Sequence, residues 1–316
     1  MSDVNEKNTT TQIGYLGPEG TFSQEALLTQ PDLARHELVP FPSITDTFLG
    51  LKRKEIELAF IPIENSIEGS VPETLDQLLF HSETIIQREI EIDIHLQLIG
   101  LRGATLGDIT EVISYPHASG QCRTWLHQNL NSVTLKAANS TSEAAKIVRE
   151  IGNKSICAVA PKLAAELNNL EILAESIEDH KLNRTRFVLL ESSTIQSPSG
   201  HDKTSIACFQ NADHPGSLHS ILGHFSARSI NLMKVESRPT KEGLGQYCFL
   251  IDFEGHVADA KVSDCLRDLH MELGWIKYLG SYPIFGDTAL EKREEVNEAY
   301  KSADCWVESL KNLIGS

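Results

Sequence analysis

Ile85-Ile86-Gln87-Arg88-Glu89-Ile90-Glu91-Ile92-Asp93-Ile94-His95-Leu96-Gln97-Leu98-Ile99-Gly100-Leu101 decides how this chain is organised. Ile90, Ile92, Ile94, Leu96 and Leu98 alternate with polar residues, which is the period of an extended strand. The stretch is longer than one average strand, so it is read as carrying the chain from one lobe to another.

Before it, strand and helix alternate. Ile13–Leu16 reads as a short apolar strand, followed by the turn Gly17-Pro18-Glu19-Gly20 and a helix capped by Thr21 or Ser23 that runs through Leu28. Ser43 begins another helix, with Asp46 three residues on. Leu58–Ile63 reads as a buried strand, and Pro72 suits the first turn of the next helix. After the long stretch a second series follows. It comprises Val112–Ser114, a helix from His117 to Leu130, Val133–Ala137, a helix over Thr141–Ile151 opened by Ser140 with Glu143, and Ile156–Ala160. Alternation of this kind predicts parallel α/β sheets in two lobes with a cleft between them. Ligands in such sheets sit beyond the carboxyl ends of the strands, so the loops after Leu16, Ile63 and Ser114 are where chemistry is expected.

Residues 1–12 read as a disordered arm and residues 192–203, rich in Ser, Thr, Gly and Pro, as a linker. From Thr204 to Tyr282 the pattern gives strand, helix, two strands, helix, strand: the βαββαβ order of a ferredoxin-like unit. The tail, residues 285–316, reads as an amphipathic helix with Val296, Tyr300, Ala303, Val307, Leu310 and Ile314 on one stripe.

The chain has 316 residues, with 28 lysines and arginines against 44 aspartates and glutamates, a net charge of −16. A surface of that sign repels nucleic acid and anionic membranes, so neither is expected as a partner. No apolar run approaches the ~18 residues that span a bilayer, and the polar start has no signal core, so the chain is expected in the cytoplasm. Cys122, Cys157, Cys208, Cys248, Cys265 and Cys305 form no paired motif and read as free thiols, with a scattered zinc site as the lesser alternative.

Four segments, in this order, resemble prephenate dehydratase: Gly17-Pro18-Glu19-Gly20-Thr21-Phe22-Ser23; Pro62-Ile63-Glu64-Asn65-Ser66; Tyr115-Pro116 leading to Gln121-Cys122-Arg123-Thr124-Trp125-Leu126; and Thr185-Arg186-Phe187. A fifth, Glu236-Ser237-Arg238-Pro239, resembles a signature of the ACT regulatory domain of that family. The resemblance implies a catalytic domain over residues 13–191, two-lobed and built like a periplasmic binding protein, and an ACT domain over residues 204–284. It implies conversion of prephenate to phenylpyruvate, carbon dioxide and water without metal or other cofactor, inhibition by L-phenylalanine, and a homodimer or homotetramer.

By the same resemblance Thr185 is the residue tied most closely to catalysis. A threonine hydroxyl is too weak an acid to be the ultimate proton source, so Thr185 is read as a hydrogen-bond donor to the departing hydroxyl. Glu64 is either that proton source or a structural carboxylate. Arg186 either holds a substrate carboxylate with its planar fork or buttresses the loop through a salt bridge. Thr21, Asn65, Ser66 and Gln121 match polar positions that line the family's cleft, and Phe187 reads as pocket wall or core. Tyr115 stands where the family usually has histidine, and His117 where it often has glutamine.

In the regulatory unit the resemblance gives Gly216, Ser217, Leu218, Asn231, Leu232, Glu236, Ser237 and Arg238 as the contacts of the effector. Gly216 opens a helix whose amides can receive a carboxylate. Alternatives are an arogenate dehydratase, whose substrate differs only by ammonium for keto, and a non-catalytic amino-acid-binding protein with the same two-lobed fold.

Overall fold

The computed structural model describes residues 11–130, 132–209, 215–241, 243, 246–273, 275–286, 305–307 and 309–312. The chain divides into two compact units. The first holds residues up to Ser82 and Ile90–Ser192; the second holds Glu83–Glu89 and the residues from Ser193 onward.

In chain order the first strands are β1 (Gln12–Leu16), β2 (Glu37–Phe41), β3 (Leu58–Asn65), β4 (Gly69–Ser70), β5 (Ile85–Asp93), β6 (Gln97–Gly100), β7 (Glu111–Ser114), β8 (Thr134–Ala137), β9 (Ile156–Ala160), β10 (Glu171–Ala174) and β11 (Arg184–Glu191). The helices between them are α1 (Phe22–Leu28), α2 (Ile44–Lys52), α3 (Pro72–Asp76), α4 (Pro116–Gln121), α5 (Arg123–Asn129), α6 (Thr141–Ile151) and α7 (Lys162–Leu167). One sheet runs β2-β1-β3-β11-β5 with β4 on β3, and the other runs β10-β6-β9-β7-β8.

The long alternating stretch therefore supplies strands to two sheets, β5 to one and β6 to the other. The expectation of parallel sheets needs correction. β1, β2 and β3 are mutually parallel, as are β7, β8 and β9, but β11 is antiparallel to β3 and β6 is antiparallel to β9. The cause is the route of the chain. It leaves the first sheet after β5, enters the second at the carboxyl end of β9, and later returns to the first at the carboxyl end of β3. A strand that enters where its neighbour ends must run the other way. The crossing segments are tied together: the Ile94 amide donates to the Asn183 carbonyl at 2.7 Å, the Ile177 amide to the Leu96 carbonyl at 2.8 Å, and the Leu96 amide to the Glu178 carboxylate at 2.9 Å.

Local signals set the helix starts. Ser43 Oγ accepts from the Asp46 amide and Ser140 Oγ from the Glu143 amide, each at 3.0 Å. Glu143 in turn reaches back to the Asn139 amide at 2.6 Å, one residue before the cap. The expected helix from His117 to Leu130 is broken at Cys122 into α4 and α5. Asp179, distant in sequence, is the reason. Its amide takes the Gln121 carbonyl at 2.7 Å, and its carboxylate caps the next turn through the amides of Thr124 at 2.9 Å and Trp125 at 3.1 Å.

The second unit contains β12 (Asp202–Phe209), α8 (Ser217–Ser226), β13 (Leu232–Pro239), β14 (Tyr247–Glu254), α9 (Ala260–Leu273) and β15 (Trp275–Pro283), in the βαββαβ order read from the sequence. Its sheet runs β13-β14-β12-β15 and its described neighbours are antiparallel. Ile206, Cys208, Ile251 and Phe253 pack with Ile221 and Phe225 of α8 and Val262, Cys265 and Leu269 of α9. Buried in the same unit, Lys203 Nζ lies 3.0 and 2.9 Å from the two Glu89 carboxylate oxygens, and Glu89 Oε1 also accepts from the Phe285 amide at 3.0 Å.

Cys122, Cys157, Cys208, Cys248 and Cys265 are free and buried, whereas Cys305 is free and exposed. Burial pushes the thiols of Cys157 and Cys208 up to about 12 and that of Cys265 up to about 11, and raises Cys122 as well. Among the described residues no helix is long and apolar enough to cross a membrane, and no group of three or more His, Cys, Asp or Glu side chains is placed to hold a metal ion. Of the expected arm, residues 1–10 lie outside the described residues, and β1 begins at Gln12. Of the expected C-terminal helix, Cys305–Val307 and 309–311 are helical and exposed, and most of the rest lies outside the described residues.

Candidate active site

The carboxyl ends of β1, β3, β7 and β8 open onto one cleft of about 1200 Å³ within the first unit. Its walls come from Gly17–Glu19 and Thr21–Ser23 after β1, Asn65 and Glu68 at the end of β3, Tyr115, His117 and Ala118 after β7, and Asn139–Glu143 after β8. The crossing residues Ile94, Leu96 and Asn183 complete it, with Thr185 and Phe187 of β11. Three helices, α1, α4 and α6, begin at this cleft. Their first turns bring the positive ends of peptide dipoles to it, set against the carboxylates of Glu19, Glu68 and Glu143 in the same lining. Lys146 adds a cation to the wall. Gly20 stands at φ +82°, and a Cβ there would lie 3.2 Å from Ala164 Cα, so only glycine lets the loop after β1 approach α7 this closely.

Asn65 organises the polar side. Its Oδ1 accepts from two backbone amides, Ile67 at 2.9 Å and Glu68 at 3.0 Å. Backbone amides can only donate, so they fix which end of the side chain is oxygen. The two hydrogens of Nδ2 are then shared among three acceptors, Asn183 Oδ1 at 2.8 Å, Thr185 Oγ1 at 2.9 Å and the Arg184 carbonyl at 3.1 Å. Asn183 Nδ2 donates to Gln121 Oε1 at 3.0 Å, and Gln121 Nε2 lies 3.5 Å from Glu68 Oε1. His117 Nδ1 is 3.7 Å from the same Glu68 oxygen, and the Tyr115 and His117 rings stack at 5.5 Å. Because Thr185 Oγ1 already accepts a hydrogen bond, its own proton is the part left to donate.

Of the candidates read from sequence, Thr21, Asn65, Gln121, Thr185 and Phe187 line this cleft together. Thr21 precedes α1, and its hydroxyl donates to the Leu16 carbonyl at 3.1 Å rather than capping the helix. Phe187 stacks on Phe60 at 5.1 Å, a wall that is also core. Ser66, Glu64 and Arg186 are not among the lining residues. Ser66 Oγ donates to the Leu182 carbonyl at 3.0 Å and accepts from the Arg184 amide at 2.9 Å, stitching two loops. Arg186 is register partner to Glu64 across β11 and β3, with Nε 3.4 Å from the carboxylate. Strand alternation turns this pair away from the face shared by Thr185 and Phe187. Arg184 pairs outward, with Asp93 at 2.9 Å and Glu91 at 3.4 Å.

Three participants were missed in the sequence: Asn183, Glu68 and Lys146. Asn183 stands two residues before Thr185, so strand alternation alone could have placed it on the same face. Glu68 sits in the loop after β3, where chemistry was expected, but no motif singled out the residue itself.

In the second unit Gly216, at φ +92°, leads into α8, whose first residue is Ser217, followed by Leu218. Asn231 precedes β13, and its Nδ2 donates to Glu254 Oε1 at 3.1 Å. Leu232, Glu236, Ser237 and Arg238 lie on β13, the edge of the sheet, where Glu236 pairs with Lys234 at 3.4 Å and with Arg238 at 3.7 Å.

The description of the prephenate dehydratase family matches residues 13–194. A prephenate dehydratase of Amycolatopsis methanolica is 36% identical over 300 residues, covering 94% of this chain and 97% of its own length. A bifunctional chorismate mutase/prephenate dehydratase of Aquifex aeolicus is 38% identical over 272 residues, 86% of this chain and 73% of that protein. A crystal structure of a prephenate dehydratase from Arthrobacter aurescens, in complex with L-Phe, aligns with a TM-score of 0.83 at 33% identity, covering 96% of this chain and all of that one.

Proposed function

Because the chain belongs to the prephenate dehydratase family, we propose that it converts prephenate to phenylpyruvate, carbon dioxide and water, as an enzyme of L-phenylalanine biosynthesis in the cytoplasm. Prephenate is a dianion, and the reaction consumes one proton: the ring carboxylate leaves as carbon dioxide, and the ring hydroxyl leaves as water once a proton joins it. Aromatisation drives the bond breaking, so the site has two tasks. It must hold two carboxylates, and it must stabilise the departing hydroxide.

The observation that carries this reading is the Thr185 hydroxyl in the cleft, accepting from Asn65 Nδ2 at 2.9 Å and thereby turned to donate. That donor is suited to the leaving oxygen. The starts of α1, α4 and α6, with Lys146, suit the carboxylates. Glu64 is committed to Arg186, which supports a structural role for both, and Ser66 supports the loop that presents Asn65.

The finer architecture follows the same reading. The first unit is a two-lobed, periplasmic-binding-protein-like catalytic domain. The βαββαβ unit is a ferredoxin-like ACT domain that binds L-phenylalanine through the Gly216–Leu218, Asn231-Leu232 and Glu236–Arg238 segments and lowers activity. The L-Phe complex of the Arthrobacter aurescens relative supports the effector. An edge strand β13 that exposes Met233 and Val235 supports assembly as a homodimer or homotetramer.

Purified protein given prephenate is expected to form the phenylpyruvate chromophore far above the spontaneous rate, to turn over arogenate more slowly, and to be slowed by L-phenylalanine. No rate above background with prephenate overturns the activity, faster turnover of arogenate overturns the substrate, and a rate indifferent to phenylalanine overturns the regulation.

A further inference from the structure

The hydrogen bonds of the cleft have a direction, and that direction depends on a residue the reaction does not itself require. Two backbone amides fix Asn65 Oδ1 as acceptor, so Asn65 Nδ2 is a donor. Asn183 Oδ1 receives it at 2.8 Å, so Asn183 presents its Nδ2 to Gln121 at 3.0 Å, and Gln121 must answer with its oxygen. The Gln121 amide hydrogens are thereby left for Glu68 and for the cleft. Asn183 is 2% exposed, so its own side of these bonds is withdrawn from solvent.

We propose that Asn183 is a positioning residue that carries the polarity set at Asn65 on to Gln121, so that Gln121, like Thr185, presents hydrogens to an anionic substrate. The proposal rests on the dehydratase reading above. A side-chain amide can rotate by half a turn at little steric cost, exchanging donor for acceptor. The long contact of Gln121 Nε2 with the acceptor-only Glu68 carboxylate, 3.5 Å, favours the same choice; through Asn183, at 3.0 Å, that choice is also tied to the peptide groups of Ile67 and Glu68. The same Asn65 nitrogen serves Thr185, so one pair of backbone amides orients both groups offered to substrate.

Asn183→Asp tests this. The aspartate keeps an oxygen for Asn65 but replaces the donor to Gln121 with a second acceptor. Gln121 then turns its amide hydrogens toward residue 183 and its oxygen toward the cleft. KM for prephenate is expected to rise about ten- to a hundredfold, the size of a charge-assisted hydrogen bond lost, while kcat stays within about threefold. Added negative charge alone also raises KM, so a cycle of Asn183→Ala, Gln121→Ala and the double variant is measured beside it. Coupling predicts that the double variant is no worse than the worse single one.

A KM unchanged in N183D, a loss confined to kcat or thermal stability, or effects in the cycle that simply add would each overturn the proposal. Where N183D does not fold, the cycle alone decides. Failure of the dehydratase reading is distinct, because the unmodified protein would then show no turnover at all.

Discussion

Replacing Thr185 with alanine is expected to lower kcat for prephenate by about a hundred- to a thousandfold, the scale on which one well-placed hydrogen-bond donor to a developing negative charge is worth. KM should change little. Asn65 Nδ2 keeps its bonds to Asn183 and to the Arg184 carbonyl when the hydroxyl is removed, so the surrounding cradle stays assembled. Thr185 is 9% exposed, and water admitted in place of the side chain would lack the orientation that Asn65 imposes. Thr185→Ser retains the hydroxyl and should remain within about tenfold of the parent, whereas Thr185→Val keeps the shape without the proton and should behave like alanine. Phenylpyruvate formation under saturating prephenate measures all three. A valine variant as fast as the parent would remove Thr185 from the chemistry.

The second large effect concerns folding. Lys203→Met is expected to destabilise the second unit by about 3–5 kcal/mol, the cost of leaving one member of a buried ion pair behind. Both Glu89 oxygens contact the lysine, at 3.0 and 2.9 Å, and both side chains are withdrawn from water. Adding Glu89→Gln should return much of the loss, because the amide carries no charge and its oxygen can still accept the Phe285 amide. Urea unfolding, followed by the shift in midpoint at constant slope, reads the difference. A loss below about 1 kcal/mol for Lys203→Met alone would mean that the pair behaves as an exposed one.

Local chemistry made much of the fold legible. The caps at Ser43 and Ser140, the strand periods of β1, β3, β7 and β9, and the βαββαβ order are each written in neighbouring residues. The alternation from Ile85 to Leu101 was legible as a passage between two sheets. What escaped was either weakly patterned or non-local. β2 is an edge strand with Pro40 in it and no fully buried residue, so its pattern is faint. α7 is six residues long, and β10 is another edge. The direction of β6 and β11 follows from where the chain re-enters each sheet, which no short window contains. The break at Cys122 depends on Asp179, and the isolation of Arg186 from the cleft depends on its pairing with Glu64 across β3 and β11. Motif spacing could find Thr185, Asn65 and Gln121. It could not reveal that Asn183 joins them, because that connection exists only once the second crossing of the chain is in place.

The five buried sulfurs carry a consequence of another kind. The thiolate is the reactive form, and burial suppresses it at Cys122, Cys157, Cys208 and Cys265, while all five side chains are shielded from reagents so long as the native packing lasts. Cys122 and Cys157 belong to the first unit; Cys208, Cys248 and Cys265 belong to the second. An oxidant or alkylating agent that marks one set and spares the other has therefore recorded which half of the molecule came open, and how often.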